Sequence, residues 1–66
     1  MYEALVAHFE AKRLRALANL RNYAERSVGV REHPDIVAEM ASLLADLDHA
    51  RSCLQTLEDH RDDVED

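Results

Sequence analysis

Apolar residues recur at steps of three and four along two long stretches of the chain. The second stretch, from Pro34 to Val64, has its apolar positions at Ile36, Met40, Leu43, Leu44, Leu47, Ala50, Leu54, Leu57 and Val64. This spacing places side chains on one face of a helix. No Gly or Pro follows Pro34, so the helix would reach about 45 Å at about 1.5 Å per residue. A helix of that length needs a long antiparallel neighbour.

The first stretch supplies that neighbour, as a helix over residues 2–27. Its inward face is heptad-like, which predicts a partner lying nearly parallel or antiparallel to it. The members of that face are Tyr2, Leu5, Val6, Phe9, Arg13, Ala16, Leu17, Leu20, Tyr23 and Ala24. A turn at residues 28–33 contains Gly29, which suits the position just past a helix, and Pro34 suits the first turn of the next helix. The short linker predicts an antiparallel αα-hairpin.

Sixty-six residues form one domain, residues 1–66, and a chain this short needs additional stabilisation. Cys53 is the single cysteine, so no internal disulfide can form. We therefore expect an all-α antiparallel helical hairpin that pairs with a second copy into a homodimeric four-helix bundle. The predicted dimer core is Leu5, Phe9, Leu17, Leu20, Met40, Leu43, Leu47 and Leu54.

Arg13 interrupts the inward face of the first helix and has two interpretations. Its guanidinium can reach solvent along the apolar stem. Alternatively it forms a buried ion pair that fixes the register, with Asp46 or Asp48 of the second helix as partner.

Charge divides unevenly between the two halves of the chain. Residues 1–31 carry a net charge of +3 and residues 32–66 carry −9, which together give −6. The second helix is expected to run from 34 to 60 and to end in a frayed acidic tail over 61–66, because carboxylates are unfavourable at a helix C-terminus. A basic helix and an acidic helix attract each other, which favours the hairpin and the pairing of unlike helices in a dimer.

Two surfaces are predicted to bind another protein. The first is the acidic outer face of the second helix, represented by Asp46, Asp48 and Asp59. The second is a stripe of small residues on the first helix, Ala4, Ala7 and Ala11, which continues to Leu14 and Ala18. Alanine is also the best surface helix former, so the stripe has a simple structural explanation as well. The acidic face could also act as a charge mimic of nucleic acid.

A regular polar stripe offers nucleic-acid binding as an alternative. It consists of His8, Lys12, Arg15, Asn19, Asn22 and Arg26, at alternating steps of four and three. Such a row could follow a phosphate backbone. The size and hairpin plan resemble those of the plasmid-encoded ROP-type RNA-binding dimers; the likeness is of plan, and no residue is carried over from it. The acidic net charge and the lack of an aromatic in the stripe oppose this alternative.

Metal binding is a weaker alternative, through Asp46, His49, Cys53 and His60 on one flank of the second helix. His8 is expected at the height of Cys53. We expect no bound metal, no cofactor and no enzyme activity, because the chain lacks catalytic motifs and a hairpin offers no deep pocket. The N-terminus does not have the pattern of a signal peptide, and no window is apolar enough to cross a membrane. The expected protein is a small, cytoplasmic, non-enzymatic interaction or regulatory module.

Overall fold

The computed structural model describes residues 1–26 and 34–65, which form two long helices and one short helix. Helix α1 spans Tyr2–Glu25, α2 spans Pro34–Asp59 and α3 spans Arg61–Val64. No strand occurs among these residues. The predicted turn at 28–33, with Gly29, and the predicted last residue of the first helix, residue 27, lie outside the described residues.

The two long helices pack against each other along their length and run antiparallel. Tyr23 of α1 contacts Glu39 near the start of α2, the ring of Phe9 faces that of His49, and Tyr2 lies against Arg61. Along the rod, the residue number of the α1 partner falls from 23 to 9 to 2, while the residue number of its partner rises from 39 to 49 to 61. Two long helices packed in this way confirm the helical hairpin.

The hairpin is a rod rather than a compact globule. It measures 50 × 13 × 12 Å, with a radius of gyration of 15.1 Å. A compact domain of this length would have a radius of gyration of about 11 Å. Two helices side by side give each residue few neighbours, so the core is small.

The line of closest contact follows residues at steps of seven, as in a coiled coil. We call these the central rows; they are Tyr2, Phe9, Ala16 and Tyr23 in α1, and Ile36, Leu43, Ala50 and Leu57 in α2. The three buried residues of the described chain, Ala16, Ala50 and Leu57, all belong to them. Ala50 is only 1% exposed, which requires α1 to approach closely because alanine has no side chain beyond Cβ.

The structure departs from the predicted apolar faces at two positions. Leu44 is 56% exposed, although it shares the helical spacing of its buried neighbours, and Ala24 is exposed as well. Each follows its central row by one residue and so points about 100° away from it. The apolar sector of each helix is wider than the contact between the two helices.

The predicted frayed tail is helical as far as Val64. The guanidinium of Arg61 stacks over the ring of Tyr2, 4.5 Å from its centroid, and its Nε donates to Glu65 at 2.6 Å. His60 and Asp63 contact each other at 3.2 Å. These local contacts, together with the half-buried Val64, hold one further turn after Asp59. The acidic composition that predicted fraying does not prevent residues 61–64 from forming a helical turn.

Candidate interaction surfaces

The central rows divide the rod into two long faces of different chemistry. Residues three positions after a central-row residue lie on one side of the contact line, and those four positions after it lie on the other side. On the first side are Lys12, Asn19, Asp46 and Cys53; on the second are Val6, Arg13, Leu20, Met40, Leu47 and Leu54. We call the first side the polar flank and the second the apolar face.

Two adjoining depressions run along the polar flank, with volumes of about 500 and 180 Å³. Both are lined by Asn19 and Leu43, so they form one open groove between the helices. The α1 wall contains five of the six residues of the predicted polar stripe: Lys12, Arg15, Asn19, Asn22 and Arg26. The α2 wall contains Glu39, Ser42, Asp46 and His49. The structure therefore brings the stripe together on one wall of a groove.

The electrostatics of this groove are mixed. Lys12 and Arg15 form no ion pair among the residues that the structure describes, and both are exposed. Asp46 lines the same depression and is also without an ion pair there. A phosphate group between the helices would gain attraction from the cations and repulsion from Asp46. The groove is less favourable to a polyanion than the sequence of α1 alone suggests.

His49 and Cys53 form a local cluster with Phe9 at one end of the polar flank. The Cys53 Sγ lies 3.5 Å from the Nε2 of His49, and the ring of His49 meets that of Phe9 at a centroid distance of 6.4 Å. His8 approaches the same phenyl ring edge-on at 4.9 Å. The cluster packs the end of the groove around one aromatic ring.

The four metal-ligand candidates do not form one site. His60 contacts Asp63 rather than His49 or Cys53. Within residues 1–26 and 34–65, no three side chains of His, Cys, Asp or Glu are grouped closely enough to hold a metal ion. His49 and Cys53 remain a neighbouring pair one helical turn apart.

The apolar face holds large side chains that the hairpin leaves partly uncovered. Half-buried members are Val6, Leu17, Leu20, Met40, Leu47 and Leu54. Val37 and Leu44, each 56% exposed, extend this face on α2. A shallow depression beside Leu44 and Leu47 also includes Ala41 and Ala45, which continues the apolar surface towards the outside of α2. Large apolar side chains that collect on one side of a small protein form an exposed patch, which is a common feature of interaction surfaces.

Arg13 and Glu10 form an ion pair within this apolar face. The Nε and Nη2 of Arg13 both donate to Oε2 of Glu10, at 3.1 and 2.8 Å. The hypothesis of an ion pair to Asp46 or Asp48 is therefore wrong. Arg13 lies on the apolar side of the contact line, whereas Asp46 lies on the polar flank and Asp48 on the outside of α2. The Arg13 side chain keeps 32% of its surface exposed, in agreement with the interpretation that it reaches solvent.

The structure divides the predicted dimer core between three locations. Leu17, Leu20, Met40, Leu47 and Leu54 lie on the apolar face. Phe9 and Leu43 belong to the central rows, and Leu5 is half-buried on the side of the polar flank. Five of the eight residues are thus placed where a second chain could reach them together.

The residues predicted to bind another protein do not form one surface. Asp46 lines the groove, Asp48 borders the depression beside Leu44, and Asp59 accepts a hydrogen bond from Gln55 at 3.1 Å. Asp48 and Asp59 share the outer side of α2, about 16 Å apart along its axis. The alanine stripe of α1, Ala4, Ala7 and Ala11, is exposed on the outer side of the other helix.

Tyr23 provides the polar contact that joins the two helices near their connected ends. It donates a hydrogen bond to Glu39, and this bond, with the charge of the carboxylate, raises the pKa of the Tyr23 phenol. From the sequence, Tyr23 was predicted to lie on the inward face, without a polar partner. An acidic residue at the same height on the opposite helix was the signal for it.

One row of surface residues on α2, which we call the outer row, was not predicted from the sequence. Val37, Leu44, Arg51 and Glu58 follow one another at steps of seven, each one residue after the central row. The two apolar members were either assigned to the inward face or left unassigned. A second seven-residue period beside the first was the signal that could have revealed them.

Comparisons with protein-family models, with curated proteins and with solved structures gave no match to this chain. Among the described residues, neither long helix carries the apolar stretch required to cross a bilayer.

Proposed function

We propose that this chain is a non-enzymatic protein-interaction module that acts as a homodimeric four-helix bundle. The observation that carries the proposal is the apolar face, where Leu44, Leu47 and Leu54 remain wholly or partly uncovered by α1. Covering such side chains is the main favourable contribution to association. The expected cytoplasmic location belongs to the same proposal, and cell fractionation tests it.

The surface area of the hairpin supports a second chain as the covering partner. Its accessible surface is 5194 Å², against about 4,200 Å² for a compact monomer of this mass. The difference, about 1,000 Å², is comparable to the roughly 800 Å² that each partner buries in a standard interface. A second copy would return the surface of each chain to a value typical of a folded protein.

Molar mass in solution is the direct test. Light scattering at micromolar concentration should give twice the 7.5 kDa of one chain, with helical circular dichroism. Dilution should lower the mass and the helix content together, because the helices lose packing when the dimer separates. A folded monomer of 7.5 kDa that shows no concentration dependence would contradict the proposal.

A pair of matched variants identifies the face that is used. Leu44→Glu places a charge on the apolar face, and Leu14→Glu places one on the outer side of α1, beside the alanine stripe. The two leucines are equally accessible, 56% and 54% exposed, so neither change disturbs the contact between the helices. Leu44→Glu should yield monomers and Leu14→Glu should leave the dimer intact. Monomers from Leu14→Glu and an intact dimer from Leu44→Glu would show that the interface lies at the alanine stripe.

Recognition of a different protein is the second part of the proposal. The outer side of α2 remains accessible in a dimer formed through the apolar face, and it presents Asp48 and Asp59. A pull-down with the dimer should capture a partner with a basic surface, and Asp48→Lys with Asp59→Lys should lose it. Asp46→Lys changes the polar flank instead, so loss of capture in this variant would place the recognition surface in the groove. Capture that is unchanged by all of these substitutions would exclude the three acidic residues from the binding surface.

Nucleic-acid binding through the polar flank is the alternative, and Lys12 and Arg15 favour it, because both are exposed and neither forms an ion pair within residues 1–26 and 34–65. If it operates, affinity for RNA should fall steeply as salt rises, because bound phosphates release counterions. Lys12→Glu with Arg15→Glu should abolish binding, and Arg21→Glu, which lies off the flank, should retain it. Asp46→Asn should strengthen it by removing a repulsive charge from the groove. Salt-independent binding would exclude this alternative.

A further inference from the structure

We infer that the second copy lies on the apolar face with its α1 against α2 of the first copy, so that the connected ends of both hairpins are at the same end of the bundle. The inference deepens the proposed homodimer and depends on it. It concerns the orientation of the two copies, which the existence of a dimer leaves open.

The spacing of the apolar face specifies a long helix as its occupant. Val37, Met40, Leu44, Leu47, Arg51, Leu54 and Glu58 follow one another along α2 at alternating steps of three and four. This is the spacing of a coiled-coil seam, and it covers about 32 Å at about 1.5 Å per residue. The corresponding seam of α1 contains Val6, Glu10, Arg13, Leu17, Leu20 and Ala24. A second copy offers helices of matching length and spacing.

The charged positions within these seams select the pairing. Arg51 of α2 is exposed, and its guanidinium forms no ion pair or hydrogen bond with another described residue. Glu10 of α1 binds Arg13 through Oε2 alone, and its Oε1 has no partner there. Apart from Glu58 at the open end, the seams therefore present one unused cation, on Arg51, and one unused carboxylate oxygen, on Glu10.

Glu10 and Arg51 lie at nearly the same height on the rod. The ring of Phe9, the residue before Glu10, faces that of His49, two residues before Arg51. A two-fold axis along the rod keeps the height of every residue and sets α1 of one copy against α2 of the other. Glu10 then meets Arg51 of the partner subunit, and by symmetry the pair forms twice.

The same axis also pairs the other residues that follow a central-row residue by one position, which in α1 are Glu3, Leu17 and Ala24. Leu17 comes to the height of Leu44 of the partner subunit, and Ala24 to that of the partner's Val37. Glu3 approaches the partner's Glu58 at the open end of the rod, where both are solvated and salt weakens their repulsion. The apolar contacts lie at the middle and at the connected end.

A two-fold axis across the rod gives the other face-to-face arrangement. It sets α1 against α1 in opposite directions and α2 against α2. Arg13 is at the middle of α1 (Tyr2–Glu25), so the two Arg13 side chains would face each other there. Like charges brought together in an interface oppose association. Charge complementarity therefore favours the axis along the rod.

The distance between spin labels distinguishes the two arrangements. In a Cys53→Ser background, a label on Asp35→Cys marks the connected end of each hairpin, where Asp35 is exposed. The arrangement that we infer gives an electron–electron distance below about 30 Å, because neighbouring helix axes are about 10 Å apart. The alternative gives about 40 Å or more, from the rise of 1.5 Å per residue. The longer distance would overturn the inference.

Light scattering on the same labelled protein separates the two possible failures. A labelled chain that is a folded monomer overturns the proposed homodimer and the inference with it. A chain of twice the single mass with the longer distance overturns the orientation alone.

A charge exchange tests the specific contact. Glu10→Arg and Arg51→Glu should each weaken the dimer about tenfold, as close charge pairs at interfaces do when one member is reversed. The double variant should recover most of the wild-type affinity. Lys12→Glu is the control for Arg51→Glu, since it changes the net charge equally on the polar flank and should leave affinity unchanged. A double variant no tighter than the weaker single one would overturn the contact.

Discussion

The apolar face and the polar flank are built on the same two helices and begin at the same central rows, but water solvates the side chains of the polar flank more favourably than those of the apolar face. On the polar flank, Lys12, Asn19 and Asp46 are hydrated as they stand and require no partner. On the apolar face, Leu44 and Met40 keep large apolar surfaces in water, which is unfavourable. A step of three or four residues from a central row decides which face a side chain joins. The polar flank of the rod is therefore favourably solvated without a partner, whereas the apolar face would be stabilised by a partner that covers it.

The largest expected effect concerns the line that separates the two faces. Ala50→Leu should destabilise the folded protein by about 1–3 kcal/mol, because added methyl groups force α1 and α2 apart. Ala45→Leu, on the exposed outer side of α2, should change stability by no more than about 0.5 kcal/mol. Urea denaturation measures both. Equal effects would mean that the central rows do not run through Ala50, and the division into two faces would fail.

Truncation of one leucine on each side compares the faces directly. Leu47→Ala on the apolar face should cost roughly 2 kcal/mol, the low end for leucine truncations. Leu5→Ala, at a leucine that is also half-buried but on the side of the polar flank, should cost less, because a second copy does not cover it.

Protein concentration distinguishes the reasons for those two losses. Leu47→Ala should reduce the rise of the urea midpoint with protein concentration, and Leu5→Ala should preserve it, since only dimer formation depends on concentration. Identical concentration dependence in the two variants would place both leucines on the same side of the interface.

A smaller effect is expected from the contact between Tyr23 and Glu39 on the polar flank. The hydrogen bond to Glu39 raises the pKa of the Tyr23 phenol in the folded state. The folded state therefore favours the protonated phenol more than the unfolded state does, so this stabilisation is complete below the unfolded pKa and is lost as pH rises through the folded pKa.

In a Tyr2→Phe background, an ultraviolet titration of tyrosinate reports Tyr23 alone. Glu39→Gln should lower the pH at which Tyr23 ionises, because it removes the carboxylate that raises the pKa of the phenol. Identical titration curves with and without Glu39→Gln would show that the contact does not persist in solution.

The smallest expected effect is local, at the end where Arg61 covers Tyr2. Tyr2→Leu removes the ring but keeps an apolar side chain, and the amides of Asp63 and Glu65 should then exchange faster, because their hydrogen bonds close α3. Tyr2→Phe keeps the ring and should keep the wild-type exchange rates. Neither variant should change the mass of the dimer, because this contact lies off the apolar face. A drop in mass would extend the interface to α3.

Most of the fold was accessible from the sequence. The uninterrupted apolar periodicity and the single break between Tyr23 and Pro34 predicted two antiparallel helices, because a helix pattern of that length has few alternatives. The site was less accessible. Steps of three and four place residues on both sides of a central row, and on paper they merge into one apolar face. For this reason the alternative interpretation of Arg13 named partners, Asp46 or Asp48, that do not lie on its side of the contact line.

The sequence by itself determined that two helices form, that they have similar lengths, and that their apolar sectors are wider than one contact can cover. Only the tertiary structure decided which seven-residue row becomes the axis of packing, because that choice depends on where the small side chains Ala16 and Ala50 let the helices approach. Once the axis is fixed, Leu44 and Leu47 fall on the open side and Asp46 and His49 on the other. Helix formation is local, whereas the faces of the rod are set by contact between residues more than thirty positions apart, such as Phe9 and His49.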